Sequence, residues 1–335
     1  RCVKLHIEAN LNLNINEAVV AIPNDFTPVQ RRKLKEAAEA AGIKVIKFIS
    51  ESTAAFMCNM DSLKALSKVA VFDWGGGTLD ISILEVEKNI IKELAVYGNK
   101  LGGDDIDKIL AKKVHASIAL EESIGDFDDM SNADKDQIIE KCENAKISLS
   151  DEDYEKFQLI DYGSKGVKRF TITYEMFKEI IQPQIEEAIK TLLTAVDKAG
   201  TSLAQLNAII MVGGSCKMRP IQKAMELFEI KNIKIIYPKN MQHMQWVVSM
   251  GAAKVGKYNT SYRMSHSIGV ILSDDEFLPI IEKGSAIPYK VDEIRFGVVE
   301  ETMDAHFIIT DEQKRQLKIV NVPVKGFTTE GISLN

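Results

Sequence analysis

Apolar positions along this chain recur with two different periods, and the switches between them mark out its elements. Residues 18–22 form a short β-branched apolar run stopped by Pro23, which reads as a buried strand. A helix start follows. Thr27 can cap, Pro28 fits the first turn without losing a needed hydrogen bond, and Gln30 completes a capping box. The helix runs through RRKLKEAAEAA to Gly42, a residue suited to a left-handed C-terminal cap. A strand over 45–49 and a helix opening at 53–57 complete a strand–helix–strand–helix alternation, which predicts an α/β domain.

Three apolar strands come next, at 69–73, 79–86 and 90–96. Gly75-Gly76-Gly77-Thr78 and Glu87-Lys88-Asn89 separate them as turns, so the pattern predicts an antiparallel meander rather than a βαβ unit. Helical periodicity covers 104–119, an acidic stretch at 123–136 reads as a solvated loop, and a helix is expected over 136–149. Strands near 156–160 and 167–173 lead into a long helix, 174–198, closed by Gly200. Pro183 should kink that helix or mark a local irregularity. A buried strand at 206–212, a glycine turn at 213–215, a helix at 220–227, a strand at 233–236 and a helix at 246–255 complete this part. Beyond residue 257 the helical period gives way to short strands at 268–272, 277–281, 294–299, 306–309 and 317–324, a second, β-rich module.

Composition narrows the function. At 335 residues, with 45% hydrophobic and 27% charged residues, the chain is of globular type and long enough for two domains. No apolar run reaches the ~18 residues that cross a bilayer, so no membrane partner is expected. The net charge of −6 has the wrong sign for a nucleic-acid binder. No signal-peptide pattern is visible at the start. The four cysteines (Cys2, Cys58, Cys142, Cys216) and five histidines are scattered, which fits a reducing, cytoplasmic setting and offers no metal–histidine cluster.

The chemistry concentrates in three glycine turns. Neither GxxxxGK[ST] nor GxGxxG occurs. Instead a strand ends in Asp73, turns through Gly75, Gly76 and Gly77, and returns through Thr78 and Asp80. Glycines at a hairpin tip let backbone N–H groups approach a phosphate, Thr78 adds a hydroxyl, and Asp73 and Asp80 place carboxylates where Mg²⁺ is held through its waters. The competing reading is a plain glycine hairpin with two solvated acids. A second turn, Gly213-Gly214-Ser215, joins a buried strand to a helix, where a sugar and phosphates could pack; such turns also serve as ordinary punctuation. The third, Gly102-Gly103-Asp104-Asp105, reads equally as a helix N-terminus.

Taken in order, these elements resemble the seventy-kilodalton heat-shock chaperones, the DnaK-like family within the actin and sugar-kinase ATPase superfamily. FDWGGGTLDISIL is similar to that family's phosphate-binding hairpin. KLGGDDID, CENAKISLS, IIMVGGSCKMRPIQKAM and MGAAKVGKY follow in the family's order. The resemblance covers 1–257 almost continuously and implies an α/β, actin-like (ribonuclease H-like) ATPase domain there. It further implies a linker at 258–263 and, from LPIIEKGSAIP onward, a partial β-sandwich substrate-binding module at 264–335. It implies ATP/ADP and Mg²⁺ as cofactors. Unfolded or extended polypeptide clients, a J-domain co-chaperone and a nucleotide exchange factor would be the partners.

By the same resemblance, Glu51 would help position Mg²⁺ or the attacking water, Asp73 would support the metal and water shell, Thr78 would contact the γ-phosphate, and Asp80 would orient the water. Gly75, Gly76 and Gly77 would line the β- and γ-phosphates, with Gly102 and Gly103 nearby. Glu143, Lys146 and Ser150 would hold adenosine, and Gly213, Gly214 and Ser215 would flank ribose and α-phosphate. The matching stretch starts inside the family's pattern, after its first phosphate hairpin and the lysine near the γ-phosphate. These 335 residues alone are therefore expected to hydrolyse ATP very slowly or not at all. Ser52 stands where the family usually has proline, Lys217 where it has arginine, and 243–248 reads HMQWVV where an acid is usual. Three functions stay open: an ATP-driven chaperone, a non-hydrolysing relative acting as nucleotide-binding scaffold or co-chaperone, and a sugar-kinase-like enzyme, against which the β module argues.

Overall fold

The computed structural model describes residues 2–23, 26–60, 66–87, 90–229, 232–238, 244, 246–258, 262–263, 267–287, 294–296, 304–323 and 332–333. It is a mixed α/β structure in two compact units, one of residues 1–87 and 93–259, the other of 88–92 and 260–335.

In the first unit a five-stranded sheet carries the site. Its order is β5 (Ile90–Asn99), β4 (Leu79–Glu87), β3 (Leu66–Trp74), β8 (Ala208–Val212) and β9 (Lys234–Ile236). β3 and β4 are antiparallel, as the glycine hairpin demands, whereas β3–β8 and β8–β9 run parallel. β8 is buried at all five positions, which is why it reads as an uninterrupted apolar run. Against the sheet pack α4 (Gly103–Glu122), α5 (Asn132–Ser148), α6 (Tyr174–Lys198) and α7 (Arg219–Glu229). Phe72, Trp74, Ile106, Leu110, Phe177 and Met211 are among their shared core residues. An antiparallel pair, β6 (Tyr154–Leu159) with β7 (Lys168–Thr173), follows α5.

A parallel pair, β1 (Glu17–Ile22) and β2 (Lys44–Ser50), completes this unit with α2 (Pro28–Ala40), α3 (Glu51–Asn59) and α8 (Val247–Tyr258). The Thr27 capping box forms as expected, and α2 ends in a Schellman closure, with Gly42 N–H on the Glu39 carbonyl and Ile43 N–H on Ala38. Gly42 sits at φ +75°, the left-handed conformation expected of it. In the second unit an antiparallel sheet of four strands, in the order Phe277–Ile281, Ile268–Ile271, Asp304–Asp311 and Gln316–Pro323, dominates.

Several expectations need correction. Residues Cys2–Leu11, which carried no predicted element, form helix α1. α5 begins at Asn132 rather than 136, because Ser131 caps it: its hydroxyl accepts from the Asp134 N–H at 3.1 Å and donates to that carboxylate at 2.7 Å. The preceding acidic stretch is not wholly solvated, since Ile124, Phe127 and Met130 pack against the core. α6 runs unbroken through Pro183, which lies on its exposed face, where the carbonyl it leaves unbonded can meet water. Trp246 precedes α8 rather than opening it, and Tyr262–Arg263 in the expected linker form a strand paired with Ala286–Ile287. The expected turn residues 88–89, linker residues 259–261, strand residues 297–299, Val324, and His243 and Gln245 of HMQWVV lie outside the described residues.

Candidate functional site

The three glycine turns, up to 140 residues apart in sequence, are laced together at the C-terminal end of β3. The β3–β4 hairpin places Asp73 directly opposite Asp80. Its tip closes with Gly75 N–H on the Thr78 carbonyl at 2.9 Å. The start of α4 then docks on that tip. Gly103 N–H donates to the Gly75 carbonyl at 3.0 Å and Asp104 N–H to the Gly76 carbonyl at 2.8 Å. From the far side the Ser215 hydroxyl reaches the Gly75 carbonyl at 2.9 Å.

Two glycines are required for this approach. A Cβ on Gly102 would stand 1.9 Å from the Gly76 carbonyl oxygen, inside its van der Waals shell. At Gly213, φ is +87° and a Cβ would meet the Trp74 carbonyl oxygen at 2.2 Å. Gly77, by contrast, has nothing within 4 Å of that position, and Gly76 and Gly77 donate to no backbone carbonyl among the described residues. The hairpin tip therefore offers open N–H groups, and Thr78 beside them is exposed.

The interlock shapes a cleft of about 770 Å³, within the range of about 300–1,000 Å³ usual for small-molecule sites. Gly76, Gly103, Glu143, Lys146, Ser150, Gly214 and Ser215 all line it, drawn from the hairpin, α4, α5 and the turn after β8. The rest of the expected set (Glu51, Asp73, Gly75, Gly77, Thr78, Asp80, Gly102, Gly213) is not in this lining. Gly75, Gly102 and Gly213 instead hold the turns against one another from behind. Lys217, noted above only for replacing an arginine, also lines the cleft, whereas sequence reasoning passed over Asp151, Met218 and Gln222 in that lining, and read Asp104 only as part of a helix start. It also passed over Asp107, whose position four residues along α4 from Gly103 was the available signal.

Lys146 is held from both sides. Its ammonium donates to the Asp107 Oδ2 at 2.7 Å and to the Gly103 carbonyl at 3.2 Å. Asp107 is buried, and desolvation raises its carboxyl pKa while Lys146 opposes the shift. Its Oδ1 has no hydrogen-bond partner.

A second electrostatic feature lies at the hairpin. Asp73 is pushed up to about 7, first by desolvation and then by the like charges of Glu51 and Asp80. Three carboxylates that repel one another suit a cation. Among the described residues, however, no three acidic, histidine or cysteine side chains are grouped closely enough to hold a metal ion by themselves. The set fits Mg²⁺ only as an outer shell, since that ion keeps several waters and takes its remaining ligands from a phosphate chain. Glu51, the first residue of α3, follows the cap Ser50, whose hydroxyl accepts from Thr53 N–H at 3.2 Å. Ser52 and Ser50 both donate to Glu93 on β5, at 3.1 and 3.5 Å.

No helix among the described residues is long and apolar enough to cross a membrane. Compared with known families, residues 1–332 match the family model described as Hsp70 protein.

Proposed function

This chain belongs to the Hsp70 family, and from that premise we propose that it is a molecular chaperone that binds ATP and ADP with Mg²⁺ in the cleft between α4, α5 and the turn after β8. Residues 1–257 serve as an actin-like nucleotide-binding domain, 258–263 as the connection, and 264–335 as a β module for extended, apolar polypeptide segments. J-domain and exchange-factor partners follow from the family.

The convergence of three glycine turns on one cleft carries this reading. Glu143, Lys146 and Ser150 would hold the adenosine, with Gly214 and Ser215 against the ribose and α-phosphate. The open amides of Gly76 and Gly77 would meet the terminal phosphates, and Thr78 would add its hydroxyl. Magnesium, when bound, supplies neutralisation of phosphate charge, with Glu51, Asp73 and Asp80 accepting hydrogen bonds from its waters. Asp80, exposed beside the hairpin, would orient an attacking water. Positioning and charge neutralisation suffice for such phosphoryl transfer, and no covalent intermediate is needed.

Calorimetric titration of MgADP and MgATP tests the reading. Saturable heat, lost in Lys146→Ala and in Ser215→Ala, is expected. A folded chain that gives no heat and no rise in Tm with either nucleotide would overturn it. Asp80→Asn should preserve that binding.

A further inference from the structure

Arg219 opens α7, where a cation is out of place. The N-terminus of a helix carries partial positive charge, so an arginine there is disfavoured unless something else holds it. The structure shows what does. Arg219 Nε donates to the Leu149 carbonyl at 3.0 Å, Nη1 to the Asp153 carboxylate at 3.0 Å, and Nη2 to the Glu152 carbonyl. The guanidinium plane also lies over the Tyr174 ring, 4.1 Å from its centroid. Leu149 is the C-cap of α5, so the cation neutralises the negative end of that helix.

The two segments so joined both line the nucleotide cleft. Lys146, Ser150 and Asp151 line it from the last turn of α5 and the residues just after it, and Lys217, Met218 and Gln222 from the turn before α7 and its first turn. Arg219 lies one residue from Met218, and its acceptors at 149, 152 and 153 bracket Ser150 and Asp151. Separating these two segments breaks all three hydrogen bonds.

We propose that Arg219 is a positioning residue of the cleft: by clamping the end of α5 to the start of α7, it slows the release of bound nucleotide. This rests on the nucleotide reading above. The planar fork matters as well as the charge, because three acceptors in different directions are met by one rigid group. A lysine in its place supplies the charge but cannot span Leu149, Glu152 and Asp153 together.

The test has two arms on the full chain. In the first, dissociation of a fluorescent ADP analogue is followed by stopped flow, with Tm as the control for folding. Arg219→Ala should speed release about tenfold. Arg219→Lys should behave nearly as Arg219→Ala, and Asp153→Ala, which removes one exposed acceptor and leaves two backbone ones, should change it less. Release within twofold of wild type in Arg219→Ala, or full rescue by lysine, overturns the proposal. If Arg219→Ala does not fold, Arg219→Gln and Arg219→Lys decide by the same criterion.

The second arm needs no nucleotide. Amide hydrogen exchange at Asp151 and Glu152, whose N–H groups bond the Ser148 carbonyl, should quicken in Arg219→Lys. Unchanged exchange there overturns the clamp whatever the fate of the nucleotide reading. A wild-type chain that binds no nucleotide, yet shows faster exchange in the variant, overturns the nucleotide role and leaves only a structural strap.

Discussion

Lys146 and Asp107 form an ion pair of 2.7 Å whose side chains are only 12% and 4% exposed, so neither charge has much water to fall back on. Removing one partner of such a pair strands the other, at a cost of about 3–5 kcal/mol, whereas removing both is far milder. Lys146→Met should therefore lower the urea-unfolding free energy by roughly that amount, and Asp107→Leu introduced beside it should recover much of the loss. A single variant no more destabilised than the double would contradict the pairing. Because Lys146 also lines the cleft, nucleotide binding should vanish in both, separating the ligand role from the stability role.

The glycine turns predict opposite outcomes at two neighbouring positions. Gly102→Ala drives a methyl into the Gly76 carbonyl, so the start of α4 and the hairpin tip must part. Overpacking of this kind costs about 1–3 kcal/mol, and the cleft should lose its ligand. Gly77→Ala meets nothing in the folded chain, so its stability should stay within about 0.5 kcal/mol of wild type. If the tip binds phosphate through its amides, Gly77→Ala should nevertheless weaken MgATP binding, because the methyl occupies the side from which a phosphate approaches. Thermal melts with and without nucleotide read both effects.

Glu93 gives the apo chain a pH dependence. Desolvation raises its folded pKa above the ordinary value of 4.5, with the Ser52 and Ser50 hydroxyls opposing the shift. Below pH 4.5 the carboxyl is protonated in folded and unfolded states alike and the group contributes no difference. As pH rises through the interval between the two values, the unfolded chain ionises first, and folded stability falls to a constant lower level. Glu93→Gln should remove this fall. Its Tm should exceed wild type at about pH 8 and match it near about pH 4. Ser52→Ala should steepen the wild-type fall. A Tm difference independent of pH would show that Glu93 is not a buried acid.

What could be read from residue order was the local chemistry. Gly42 and Gly213 stand where backbone geometry or close approach favours the absence of a side chain, and that demand is written at single positions. Thr27 and Gln30 announce α2 for the same reason. The Ser131 cap was equally local, but acids on both sides of it read as a solvated run. α1 escaped because Val3, Leu5 and Ile7 alternate like a strand, while the helix they form leaves Leu5 and Leu11 more than half exposed. Pro183 spoke for an interruption, yet Phe177, Ile181 and Ile185 are buried on the opposite face and keep α6 continuous through it. In the cleft, Met218 and Gln222 were illegible because their roles arise only when the segments around α4, α5 and α7 meet. Sequence spacing ranks residues along one helix and says little about which helix they will face.

The thiols offer a reporter of that meeting. Cys142 is buried on α5, and burial, with the Asp107 charge next, pushes its thiol up to about 12. Cys216 is also buried; its Sγ bonds the Val212 carbonyl at 2.9 Å, and its pKa is raised further still, chiefly by desolvation. Thiolate is the reactive form, so neither should react with a disulfide reagent in the folded chain at about pH 8. Cys2 is exposed and should react at once, with Cys58, half-buried, behind it. Counting labelled thiols by mass spectrometry checks this order. Cys142 labelling then measures how often the α4–α5 wall opens, since it must leave the core before it can ionise. Lys146→Met should raise that rate by loosening the same wall, and saturating MgADP should lower it in the wild type. Rapid labelling of Cys142 in the native chain would mean that α5 does not pack against α4 as described, and the cleft they frame would fall with it.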